Sequence, residues 1–145
     1  MARESSDCVL CRPRLETPVL RETHHWRIAV NRNQNLLGKL FISLQRHEDQ
    51  VVRLSDEEWG ALRGEIAWAT EQLLGAFAPD HFNYSFLQNQ DRHVHLHVIP
   101  RYSSPRRIAG SDFDDLEYPN HYGVGVDRRL GSDVIAAISA AIVGA

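Results

Sequence analysis

The chain has 145 residues, of which 43% are hydrophobic and 24% charged, with a formal net charge of −3. That size and balance suit one ordinary globular domain, spanning 1–145, with a core of its own. A slightly negative chain offers no basic field for a nucleic-acid backbone, so no nucleic-acid partner is expected.

No apolar run approaches the roughly 18 residues needed to cross a bilayer. The opening Met1-Ala2-Arg3-Glu4-Ser5-Ser6-Asp7 is polar and lacks the apolar stretch of a signal peptide. A cytoplasmic protein without a membrane partner is expected. Cys8 and Cys11 follow in a Cys-x-x-Cys arrangement. A reducing compartment disfavours a structural disulfide, which leaves a metal clip, a redox pair or two unligated thiols.

Further along, Arg27-Ile28-Ala29-Val30-Asn31 reads as a short strand before the polar turn Arg32-Asn33-Gln34-Asn35. Gly38 opens a second strand over Lys39-Leu40-Phe41-Ile42-Ser43-Leu44. The clearest helix starts at Ser55, which forms a capping box with Glu58. Trp59, Leu62, Ile66, Leu73 and Phe77 give it one apolar stripe, and Pro79 stands just past its end. Phe82 to Leu87 and His93 to Ile99 read as two more strands. Beyond Pro100 the chain is polar and rich in turns to about Arg129, and a closing helix starts at Ser132 as its cap. Helices do not separate the strands one by one, so the composition points to an α+β fold with a mostly antiparallel sheet.

The stretch His93-Val94-His95-Leu96-His97 carries the chemistry. Side chains on a strand alternate faces, so the three imidazoles share one face about 6.6 Å apart while Val94, Leu96 and Val98 share the other. A lone histidine on a strand is ordinarily structural, but three in register in a chain with eight ask for another explanation. Two functional readings remain open. The imidazoles can bind a metal, or they can act as nucleophile and acid–base groups near neutral pH.

His93-Val94-His95-Leu96-His97-Val98-Ile99, followed by Pro100-Arg101, resembles the signature of the histidine-triad superfamily. The resemblance extends from about residue 8 to 102: Arg27 to Asn31, Gly38 with its strand, Gln45-Arg46-His47, the helix from Ser55 and the strand holding Asn83 fall in matching order. It implies a sheet of about five strands with a long central helix and a C-terminal helix. It further implies an enzyme, a nucleotide hydrolase or nucleotidyl transferase. His95 would attack the α-phosphorus of a dinucleoside polyphosphate or other nucleoside monophosphate derivative and form a nucleotidyl-histidine intermediate. His97 would stabilise phosphate charge, and His93 completes the triad. No cofactor is required for that chemistry.

The same resemblance places Asn31 at the ribose and Asn89, with Gln88 and Gln90, at the α-phosphate. Some members bind a structural zinc through Cys8, Cys11, His47 and His93. A homodimer is expected from family habit. Tyr118-Pro119-Asn120-His121-Tyr122 resembles a tail found in diadenosine polyphosphate-cleaving members, where it would join the pocket wall. Two features depart from the pattern: the loop before the triad is short, and Lys39 stands where many members carry histidine. The competing readings are a metal-dependent hydrolase with His93, His95 and His97 as ligands, and a nucleotide-binding regulatory protein.

Overall fold

A computed structural model describes residues 7–145. The polar opening from Met1 to Ser6 lies outside the described residues. Strands β1 (Val19–Glu22), β2 (Trp26–Val30), β3 (Leu40–Leu44), β4 (His81–Ser85) and β5 (His95–Arg101) form a sheet in the order β1-β2-β3-β5-β4. Every neighbouring pair in it is antiparallel. Helix α1 (Asp56–Phe77) crosses one face, α2 (Ser132–Val143) packs beside it, and β6 (Arg106–Ile108) with β7 (Ser111–Phe113) forms a small separate hairpin. The fold is α+β, as the sequence predicts.

Register decides what each face carries. Leu40 pairs with Val98 and Ile42 with Leu96, whereas Phe41 pairs with His97 and Ser43 with His95. Leu40, Ile42, Leu44, Leu96 and Val98 therefore turn to one side, where they meet Leu62, Leu73 and Phe77 of α1 and Ile138 and Ile142 of α2 in the core. Burying each such side chain contributes about 1.5–3 kcal/mol. The odd-numbered positions of β3 and β5 are left on the opposite face, away from the helices, where Phe41, His95 and His97 border a cleft.

Helix α1 begins as its sequence predicts. Ser55 Oγ accepts from the Glu58 backbone N–H at 3.1 Å, and the Glu58 carboxylate accepts from the Ser55 N–H at 2.8 Å. Arg46 also donates to that carboxylate, chiefly for this reason holding it down near 2. The buried stripe is Glu58, Leu62, Glu65, Ala69, Leu73 and Phe77. Trp59 does not belong to it; the indole is 42% exposed and meets the Phe86 ring edge-on.

The turn between β2 and β3 is stitched from within. The buried Gln34 amide donates to the carbonyls of Asn31 and Lys39 at 2.7 and 2.9 Å, and its Oε1 accepts from the Gly38 N–H at 2.9 Å. Gly38 has φ +83°, and a Cβ there would stand 2.8 Å from Leu73 Cδ2. Gly38→Ala is therefore expected to cost about 1–3 kcal/mol, from backbone strain and a forced shift of the helix. A thermal melt matching wild type would refute that close approach.

Several boundaries differ from the sequence reading. The histidine-bearing strand β5 starts at His95 rather than His93, and β4 spans 81–85 rather than 82–87. Strand β1 and the β6–β7 hairpin lie where no strand is predicted. Helix α2 is capped by Gly131, with no side-chain cap from Ser132.

Candidate functional site

On the helix-free face lies a cleft of about 550 Å³. Its floor is Asn31, Lys39, Phe41, His95 and His97. One wall is the N-terminal segment with Leu10, Arg12 and Arg14, and the other is the strap Val124 to Asp127 with Arg129.

The two histidines of β5 are held in complementary tautomers. His95 Nδ1 lies 2.7 Å from the His93 carbonyl, which can only accept, so Nδ1 carries the proton and Nε2 keeps a free lone pair. Asn31 Nδ2 lies 3.4 Å from His97 Nδ1 and can only donate. His97 therefore carries its proton on Nε2. Burial first, then His95 and Lys39, pulls His97 down to about 4, so it is neutral near pH 7. The rings lie 4.9 Å apart at 68°. One imidazole offers a nucleophilic nitrogen beside a neutral one that offers an N–H donor.

His93 does something else. It precedes the strand, is fully buried, and does not line the cleft. The expectation of three imidazoles on one open face is corrected to two. The Nε2–H of His93 donates to the Leu44 carbonyl at 2.6 Å, so Nδ1 is bare and faces two thiols. Nδ1 stands 3.4 Å from both Cys8 Sγ and Cys11 Sγ and 3.3 Å from His47 Nδ1, while Cys11 Sγ lies 3.2 Å from His47 Nδ1. A tetrahedral zinc with ordinary bond lengths spaces its ligand atoms about 3.3–3.8 Å apart. The four donors fit that ion in number, kind and spacing. Burial is the main cause that pushes the Cys11 thiol up to about 11, so that thiol stays protonated until a cation draws the proton off.

Among the described residues this is the one cluster of three or more such donors. His93, His95 and His97 do not converge, so the reading in which they jointly ligate a catalytic metal is corrected.

Other expected site residues divide. Asn31 and Gln90 line the cleft, but Asn89 and Gln88 do not; Gln88 instead donates to the Asp49 carbonyl at 2.8 Å. Tyr118 to Tyr122 lines a separate cleft with Asn83 and Ser85. Arg101 is buried, paired with Asp115 at 2.7 Å and bonded to Asn83 Oδ1 at 2.9 Å, and so serves the fold. Sequence reasoning missed Arg27, whose guanidinium donates to the carbonyls of Leu10 and Arg12 at 2.8 and 3.0 Å and holds the N-terminal wall. It also missed the strap, tied down by Asn33, which accepts from the Arg128 N–H and donates to the Val126 carbonyl.

No family model matches the sequence, and no curated protein matches it. Solved structures do match. A Hit-like protein involved in cell-cycle regulation from Bartonella henselae aligns with TM-score 0.76 at 12% identity, over 99% of this chain and 98% of that one. A histidine triad protein from Sinorhizobium meliloti aligns with TM-score 0.72 at 18% identity, over 89% of each chain. The chain has the histidine-triad fold. A Zn-bound histidine triad family protein from Mycobacterium smegmatis shares this histidine-triad fold at TM-score 0.65 and 14% identity, over 97% of this chain and 96% of that one. Within the fold, the triad motif occupies the cleft side of the sheet centre at His95 and His97 and the buried cysteine cluster at His93.

Proposed function

We propose that the protein is a histidine-triad nucleotide hydrolase or nucleotidyl transferase with His95 as nucleophile. The single observation that carries this is the 2.7 Å bond from His95 Nδ1–H to the His93 carbonyl, which leaves Nε2 unprotonated on a ring lining the cleft. In the first step Nε2 forms a bond to the α-phosphorus, the bond to the leaving group breaks, and the leaving group departs with the electron pair and takes up a proton. In the second step water or another acceptor attacks phosphorus and loses a proton to solvent, the P–N bond breaks with its electron pair returning to Nε2, and the product is the nucleoside monophosphate from water or the nucleotidylated acceptor otherwise. Splitting one displacement into two lowers each barrier. His97 Nε2–H donates to the phosphoryl oxygens as charge builds there.

Asn31 serves twice in this reading. One amide N–H fixes the His97 tautomer and Oδ1 accepts from the Asn33 N–H at 2.9 Å, which leaves a second N–H and a lone pair for the ribose hydroxyls. Gln90 lies at the cleft for the phosphate. Cys8, Cys11, His47 and His93 would hold a structural zinc, which when bound supplies charge neutralisation and a cross-link between the N-terminal wall and the segment leading into β5. A homodimer is supported by the free edge of β4 and by exposed Tyr84, Trp59 and Leu74 along that edge and α1.

The test is a panel of dinucleoside polyphosphates, sulfated nucleotides and nucleoside phosphoramidates, read by product release and by intact mass after acid-free quenching. A transient gain of one nucleotidyl group on the protein supports the reading. Absence of turnover and of adduct across the panel overturns it.

A further inference from the structure

Lys39 is the single lysine of the chain. It sits at the entry to β3, two residues before Phe41, on the same face of the sheet as His97. With Phe41, His95 and His97 it lines the cleft. Among the described residues that line it, the other cations are the exposed Arg12, Arg14, Arg32 and Arg129. Arg32 is paired with Glu16 and Arg129 with Asp127. Lys39 differs from all four in being half-buried, with its amine hydrogen-bonded to Asn35.

The amine has few partners for a buried charge. An ammonium group offers three N–H donors. One donates to Asn35 Oδ1 at 2.9 Å, and Lys39 forms no ion pair among the described residues. Asp127 on the strap attracts it from a distance, and His97 faces it from β5. Burial pulls the amine down to about 8, partly offset by Asp127, so the protein keeps this cation at an energetic cost. An anion arriving in the cleft would repay that cost through charge-assisted hydrogen bonds.

The chemistry at the histidines needs such a group. His95 attacks through the bare Nε2 that its bond to the His93 carbonyl leaves, and His97 offers one N–H from a neutral ring, so neither supplies fixed positive charge to an incoming phosphate. We propose that Lys39 binds the phosphoryl oxygens of the substrate beside His97, as the fixed cation of the site. Asn35 and the Gln34 stitch on its own carbonyl are the positioning groups that aim the amine. The proposal rests on the nucleotide reading above and adds the residue that recognises the anionic group.

The experiment measures binding of the four nucleoside 5′-monophosphates, each against its own nucleoside, to the purified full chain by calorimetry. Lys39→Met should weaken the monophosphate that binds wild type about 10- to 100-fold. Its nucleoside should bind unchanged, and Lys39→Arg should restore most of the lost affinity. Lys39→Gln carries the comparison if the Met variant does not fold. Equal losses for nucleotide and nucleoside would show a structural residue and overturn the proposal, as would a variant matching wild type on both. A wild-type protein that binds no nucleoside and no nucleotide overturns the nucleotide reading itself, and this proposal with it.

Discussion

Replacing His95 by Ala is expected to lower turnover by at least about 1,000-fold, because a step carried by a covalent nucleophile has no substitute group in the cleft. Binding should survive, since Asn31, His97 and the cleft walls are untouched. Intact mass spectrometry should show no nucleotidyl adduct in the variant under conditions that trap one on wild type. The fold should also survive: the change removes one ring and leaves the His93 carbonyl without its partner, a cost of about 1–3 kcal/mol. Normal turnover by His95→Ala would show that another group attacks phosphorus.

Stripping metal from the protein with a chelator, or replacing Cys8 and Cys11 by Ser, is expected to lower the thermal midpoint by about 10 °C or more. The four candidate ligands come from three segments far apart in sequence and meet in one largely buried knot, so an ion there cross-links the chain. Val9, Leu10, Arg12 and Arg14 leave that knot to form one wall of the cleft. Metal removal should therefore raise KM well before it touches the chemical step. Native mass spectrometry should find one zinc per chain in wild type and none in the double variant. Immediate loss of kcat on chelation, with the melt unchanged, would instead place the metal in the reaction.

What the sequence makes legible follows physical lines. The even positions of β3 and β5 are apolar throughout, while the odd ones mix Ser43, His95, His97 and Arg101 with Phe41 and Ile99, so the sheet centre and its core face can be read from alternation. Alternation misleads at His93, because the strand begins two residues later and the ring turns toward Cys8 and Cys11 before the pleat is set. The spacing of cysteines and histidines carries that residue's true place better than the strand pattern does. Strand β1 is a four-residue edge with a register shift opposite β2, too short and too exposed to show a period. The β6–β7 hairpin turns on Ala109 and Gly110, both at positive φ, where Asn-Gly would be the usual signal. Lys39 looks like any polar residue after a glycine. Its partial burial comes from its place in a cleft whose other wall is the strap, more than 80 residues away, which no local window contains.

The knot at Cys8, Cys11, His47 and His93 sets an order of events during synthesis. A ribosome delivers three of these side chains when only the first third of the protein exists, and the fourth arrives just ahead of β5. Strand β5 is also the one that slots between β3 and β4, so sheet closure and knot closure fall in the same moment. Until then the N-terminal stretch is held through Arg27 but not through His93, and loop closure across more than 80 residues must be completed by the same event that aligns His95 with its carbonyl partner. A nascent or nicked chain ending before residue 93 thus lacks both His93 and strand β5, so the knot and the centre of the sheet form together.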